Sequence, residues 1–72
     1  MKKVMKLRDL DCAHCASKME DAIRRLDGVQ AASVNFLSQK LTLEAEDARF
    51  DEVLREVVRA CRRIEPDCEI VL

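Results

Sequence analysis

Apolar and polar residues follow two different periods along the chain, and these periods predict its secondary structure. Strict alternation is clearest at residues 40–45, where Thr42 separates Leu41 from Leu43. Alternation of this kind predicts a β-strand with one buried face. On this basis we predict strands at residues 3–10, 29–36, 40–45 and 68–72.

Two longer segments place apolar residues three and four positions apart, which is the spacing of one face of a helix. The first predicted helix spans residues 14–26 and is stopped by Gly28. Its core face consists of Met19, Ala22, Ile23 and Leu26. The second helix is predicted to start with Asp51 as its N-cap and to end before Pro66. Its core face consists of Val53, Leu54, Val57, Val58 and Cys61.

The predicted order of elements is βαββαβ, with one strand-helix-strand unit in residues 1–36 and a second in residues 37–72. This order predicts an α+β fold of the ferredoxin-like class, a four-stranded antiparallel sheet with two helices on one face. These elements account for residues 1–72. We therefore expect a single domain, whether it stands alone or is part of a longer protein.

Composition excludes two classes of partner. The net charge is -1 and only Phe36 and Phe50 are aromatic, so the chain lacks the basic surface and the stacking side chains of a nucleic-acid-binding domain. Its apolar runs fall well short of the ~18 residues that a membrane span needs. We expect no nucleic-acid partner and no direct membrane insertion.

The most informative motif lies between the first predicted strand and the first predicted helix. Residues 11–15 have the sequence Asp-Cys-Ala-His-Cys. Two cysteines three positions apart at the start of a helix can direct both sulfurs at one ion, and the helix N-terminus favours the thiolate form of each. Two thiolates with a neighbouring carboxylate suit a soft or borderline divalent ion such as Zn²⁺. We therefore predict a metal site made of Asp11, Cys12 and Cys15.

Asp11 bears on which metal binds. Two thiolates neutralise Zn²⁺, and an added carboxylate leaves a single negative charge, whereas the same three groups around Cu(I) leave two. Oxygen is also a poorer ligand for soft Cu(I) than for zinc. The alternative interpretation of Asp11 is an N-cap for the following helix.

The motif at residues 11–15 and its place in βαββαβ, together with the runs Leu-Asp-Gly-Val at 26–29 and Ser-Val-Asn-Phe at 33–36, resemble a heavy-metal-associated domain. The acidic residue before Cys12 is similar to the zinc/cadmium/lead branch of heavy-metal-transporting P-type ATPases, since copper members usually carry threonine there. The chain departs from the family by having Asp9 and Leu10 where Gly-Met is common. Leu10 is expected to take the buried role of that methionine, and aspartate tolerates an unusual backbone angle at position 9.

This resemblance implies that Asp11, Cys12 and Cys15 bind Zn²⁺, Cd²⁺ or Pb²⁺. It further implies a cytoplasmic module that exchanges its ion with, or regulates, the transmembrane part or another cytosolic domain of an ATPase. By the same resemblance the chain is a metal-binding module and not itself an enzyme. One alternative within this class is a free-standing metallochaperone for copper or mercury. A thiol-disulfide oxidoreductase is the alternative of another class, although that pattern expects a longer α/β chain.

Several other side chains are candidates for lesser roles. Glu65 and Asp67 follow the second helix and are either additional ligands or solvated loop carboxylates. His14 is expected to point outward, toward solvent or a partner. Cys61 and Cys68 fall on apolar faces and are expected to be small core residues rather than a second thiol pair.

Overall fold

The computed structural model describes residues 1–72 and has the predicted order βαββαβ. The strands are β1 (Lys2–Arg8), β2 (Val29–Asn35), β3 (Lys40–Ala45) and β4 (Glu69–Val71), and the helices are α1 (Ala13–Arg24) and α2 (Phe50–Ile64). All strand pairs are antiparallel, in the spatial order β2-β3-β1-β4. The predicted α+β, ferredoxin-like fold is confirmed.

The central strand β1 sets the inner face of the sheet. Met5 lies opposite Leu41 of β3, and Leu7 lies opposite Ile70 of β4. Met5, Leu7 and Leu41 are at most 2% exposed, whereas Val4, which points the other way, is 56% exposed. Both helices therefore cover the same face of the sheet, and the other face is open to solvent.

Each helix contributes a stripe of buried residues to one continuous core. In α1 the stripe is Ala16, Met19 and Ile23, and in α2 it is Phe50, Val53, Val57, Ala60 and Cys61. The predicted core faces differ from the observed ones at their edges. Some predicted residues are only partly buried: Ala22, Leu26, Leu54 and Val58. Some buried residues were not predicted: Ala16, Phe50 and Ala60.

The predicted start of α2 was wrong. The helix begins at Phe50 after a short 3₁₀ turn, Asp47–Arg49, and Arg49 occupies the N-cap position without a side-chain hydrogen bond. Phe50 is 3% exposed, so its burial in the core favours a helix that starts before Asp51. Asp51 lies instead in the first helical turn, where its charge still interacts favourably with the helix dipole.

Gly28 does not stop α1, which ends at Arg24 with Arg25 as C-cap. Gly28 instead makes the turn into β2 with a φ angle of +94°, and a Cβ atom there would lie 2.8 Å from Val53 Cγ2. Both the backbone conformation and the contact with α2 therefore require glycine. No helix has the length and apolar character to cross a membrane.

Candidate metal site

The loop between β1 and α1 turns sharply where β1 ends. The predicted strand ended two residues too late, because β1 stops at Arg8 and Asp9 takes a left-handed φ angle of 60°. Leu10 then returns to the core with 3% of its surface exposed. Both expectations for this departure from the family pattern hold: aspartate accepts the unusual backbone angle, and leucine fills a buried position.

Cys12 is the N-cap residue of α1, and its sulfur does the capping. The backbone N–H of Cys15 donates to Cys12 Sγ at 3.2 Å, and Ala16 N–H donates to the Cys12 carbonyl at 3.0 Å. The pKa of Cys12 is lowered, first by its interaction with the Cys15 side chain and then by the backbone N–H groups of Cys15 and His14. This agrees with the expected effect of a helix N-terminus on a thiol.

Cys15 behaves differently from Cys12. Its pKa is raised to about 11, first by its interaction with the Cys12 side chain and then by partial desolvation and the negative charges of Cys12 and Glu65. The expectation that the helix N-terminus favours thiolate in both cysteines therefore holds only for Cys12. At neutral pH the pair retains a proton, which a metal ion must displace to bind both sulfurs.

Asp11 directly precedes Cys12 in the loop but does not form a closed set of ligands with the two thiols. Its side chain is exposed, and Cys12 rather than Asp11 caps α1, so the alternative role of Asp11 as N-cap was wrong. The structure brings the two cysteines together through the hydrogen bond from Cys15 N–H to Cys12 Sγ. It contains no group of three or more His, Cys, Asp or Glu side chains already arranged to hold a metal ion.

Glu65 approaches the thiols from the end of α2. Its backbone N–H donates to the Cys61 carbonyl at 2.9 Å, and its carboxylate lies close enough to Cys15 to help raise the pKa of that thiol. Asp67 and His14 are exposed, as expected for a solvated carboxylate and an outward-facing histidine. Of the candidates for an additional ligand, the fold brings Glu65 to the cysteine pair.

Cys61 and Cys68 are buried and free, as expected for core residues. Burial raises the pKa of Cys61 to about 12, with a smaller contribution from Cys68. The pKa of Cys68 is also raised. Burial is the largest cause, and the negative charges of Glu65, Asp9 and Asp11 add to it. Because the thiol form of both is favoured, they suit a core better than a metal site.

The contact of Gln39 with the metal-site loop was not predicted. Residues 37–39 separate two predicted strands, and the structure has a turn at residues 36–39. The Gln39 side chain extends from this turn and hydrogen-bonds both the N–H and the carbonyl of Leu10. The contact joins residues 29 positions apart, so local sequence patterns carry no signal for it.

Comparison with known proteins identifies the family of this chain. Residues 4–65 match the family described as the heavy-metal-associated domain. The chain belongs to this family. Membership makes it a heavy-metal-binding module that is not catalytic by itself, and the resemblance noted in the sequence is thereby confirmed.

Relatives of this heavy-metal-associated domain include both transporters and chaperones. A cadmium, zinc and cobalt-transporting ATPase of Bacillus subtilis is 32% identical over 60 residues, which are 83% of this chain and 8% of that protein. A copper chaperone CopZ of Staphylococcus epidermidis is 31% identical over 57 residues, which are 78% of this chain and 84% of that protein. The chain thus matches a small part of the transporter and most of the chaperone.

A solved structure of a CopZ metallochaperone shares the fold. It has a TM-score of 0.76 and 21% sequence identity, and the match covers 99% of this chain and 100% of that one. This likeness supports the heavy-metal-associated fold and does not identify the metal that this chain binds.

Proposed function

We propose that this domain binds a divalent ion, Zn²⁺, Cd²⁺ or Pb²⁺, through Asp11, Cys12 and Cys15. The observation that carries the proposal is the exposed Asp11 carboxylate directly before two cysteines that are joined by the hydrogen bond from Cys15 N–H to Cys12 Sγ. With both cysteines ionised, the three groups leave one negative charge around a divalent ion and two around Cu(I). The carboxylate therefore favours the divalent ion.

We propose further that the domain, residues 1–72, acts on a P-type ATPase from the cytoplasmic side. It either exchanges its ion with the ATPase or regulates the activity of the ATPase. The Bacillus relative, named a cadmium, zinc and cobalt-transporting ATPase, supports this assignment. The partner is then the transmembrane part or another cytosolic domain of such a transporter. The second candidate is a free-standing copper chaperone, which the CopZ relative favours because the chain matches most of its length.

The properties of the site fit transfer better than permanent storage. Structural zinc sites usually have four protein ligands, whereas the proposed site has three, and both cysteines are partly exposed. An incoming ligand can therefore reach the ion before the original ligands leave. Glu65, whose carboxylate helps raise the pKa of Cys15, is suited either to accept the displaced thiol proton or to approach the ion as a further oxygen ligand.

The decisive experiment is an anaerobic competition titration of the reduced domain with Zn²⁺, Cd²⁺, Pb²⁺ and Cu(I). We expect one divalent ion per monomer, and loss of this binding in the double variant Cys12→Ser, Cys15→Ser. His14→Ala, an exposed change in the same loop, is the matched control and should bind normally. Stoichiometric Cd²⁺ binding with thiolate-to-metal absorbance in the double variant would instead place the site at Cys61 and Cys68.

A further inference from the structure

The Gln39 side chain connects the turn before β3 to the loop that carries the proposed ligands. Its Oε1 accepts from Leu10 N–H at 3.2 Å, and its Nε2 donates to the carbonyls of Leu10 at 2.9 Å and Phe36 at 2.9 Å. The amide therefore binds Leu10 in the paired manner of a neighbouring strand. It also ties this pairing to its own turn through Phe36.

The backbone of Gln39 is anchored as firmly as its side chain. Leu7 N–H donates to the Gln39 carbonyl at 2.7 Å, which extends the contact of β1 with β3. Gln39 has a left-handed φ angle of 55°, which is uncommon for a residue with a long side chain. The turn thus holds an unfavourable conformation that directs the amide at Leu10.

These bonds bear directly on Asp11. The Leu10 carbonyl and the Asp11 N–H belong to the same planar peptide unit. The bond that holds this carbonyl therefore also fixes the orientation of the Asp11 N–H and the position of the Asp11 Cα. On the other side of Asp11, Cys12 is fixed as the N-cap of α1. Asp11 therefore has an exposed side chain on a backbone that is held from both ends.

We propose that Gln39 is a positioning residue that fixes the backbone from which the Asp11 side chain reaches the metal ion, and so selects a divalent ion over Cu(I). The inference rests on the proposed role of Asp11 as a ligand. The two sulfurs do not depend on Gln39 in the same way, because the first turn of α1 brings them together through the bond from Cys15 N–H to Cys12 Sγ. Loss of the Gln39 amide should therefore affect the oxygen ligand and spare the thiol pair.

The test is the variant Gln39→Asn, which keeps an amide and a side chain tolerant of left-handed backbone but is one methylene too short to reach Leu10. We expect Zn²⁺ affinity to fall about tenfold, as is typical when a group supporting a ligand is removed. Cu(I) affinity should change less than about twofold, since its coordination needs only the thiolates. Ser38→Ala, an exposed change in the same turn, is the matched control. Equal losses for Zn²⁺ and Cu(I) would overturn the proposal, because they would indicate general loosening of the site.

A double-mutant cycle with Asp11→Asn separates this inference from the proposed function. If Gln39 acts through Asp11, Gln39→Asn should not weaken Zn²⁺ binding further once Asp11 is replaced. An additional loss of the same size in that background would overturn the positioning role. If Asp11→Asn weakens Zn²⁺ binding and Gln39→Asn does not, the ligand role of Asp11 stands and only the role of Gln39 fails. If Asp11→Asn has no effect, both fail.

A second variant guards against a folding defect. Gln39→Glu keeps the full length and one acceptor but cannot donate to the carbonyls of Leu10 and Phe36. It should show the same selective loss of Zn²⁺ affinity as Gln39→Asn. Thermal unfolding of each metal-free variant should show a folded domain, and Zn²⁺ affinity equal to that of the unmodified domain in both folded variants would overturn the proposal.

Discussion

The backbone N–H of Cys15 donates to the sulfur of Cys12 at 3.2 Å. Cys12 thus receives a hydrogen bond from the residue with which it is proposed to share a metal ion. The two thiols differ in acidity, because their mutual interaction lowers the pKa of Cys12 and raises the pKa of Cys15 to about 11.

Metal affinity should therefore depend strongly on pH. Between the pKa of Cys12 and about 11, the pKa of Cys15, binding to both sulfurs displaces one proton, so apparent affinity should rise about tenfold per pH unit. Below the pKa of Cys12 two protons leave, and the slope should steepen toward about a hundredfold per unit. Cd²⁺ titrations at a series of pH values, followed by thiolate-to-metal absorbance, measure this slope. Affinity independent of pH would show that a thiol is not a ligand or is already ionised.

The buried Cys61 predicts a loss of stability in alkaline solution. Its pKa is about 12 in the folded chain against an ordinary value of 9.0, so the unfolded state loses a proton first as pH rises. The contribution of Cys61 to the free energy of unfolding is therefore fully present below pH 9.0. It is lost progressively up to about pH 12, at about 1.4 kcal/mol per pH unit. Urea unfolding of the reduced protein at several pH values measures the decline.

Cys61→Ala provides the control for this decline, because it removes the titrating group from the core. The variant should be less stable near neutral pH, since it leaves a small cavity, but its stability should fall less steeply above pH 9.0. Parallel slopes in the two proteins would mean that Cys61 does not remain protonated in the folded state. Lysine ionisation is common to both proteins and cancels in the difference.

Gly28 predicts a large effect of a small substitution. Gly28→Ala should destabilise the domain by about 2–4 kcal/mol, because alanine is strained in the left-handed region and its Cβ also crowds α2. The distance of 2.8 Å from that Cβ to Val53 Cγ2 is well inside ordinary contact. Asp27→Ala is the neighbouring control: its side chain is 96% exposed and makes only a surface ion pair with Arg49 at 3.6 Å, which contributes little. Urea unfolding that gives similar stabilities for the two variants would contradict this account.

The periodic features of the chain were predictable from the sequence, and the long-range contacts were not. Alternation gave β3 with its correct bounds, residues 40–45, because one face of that strand is buried and the other is not. The start of α2 was predicted wrongly because a local capping rule favoured Asp51, while burial of Phe50 decides where the helix begins. Sequence spacing could place the two cysteines together, since they share one helical turn.

The supporting groups of the site required the three-dimensional structure. Glu65 reaches Cys15 only because α2 ends beside the loop that starts α1. Glu65 and Asp67 were equal candidates for an additional ligand in the sequence, because nothing in their local pattern distinguishes them. The capping sulfur of Cys12 was also unexpected, since serine, threonine, aspartate and asparagine are the usual N-cap residues and Asp11 was the local candidate.

Asp11 gives the last prediction, because it distinguishes a divalent site from a copper site. Asp11→Asn or Asp11→Thr should weaken Zn²⁺ binding about tenfold, the scale of one charge-assisted contact in an exposed site. Cu(I) affinity should stay the same or improve, since a carboxylate beside two thiolates only adds repulsion around a monovalent ion. Zn²⁺ and Cu(I) affinities measured at one pH against competing chelators give the comparison. Because Asp11 does not cap α1, neither variant should change the stability of the metal-free fold appreciably. Equal losses for both ions would make Asp11 a general support of the loop and would favour the copper-chaperone candidate over the divalent transporter domain.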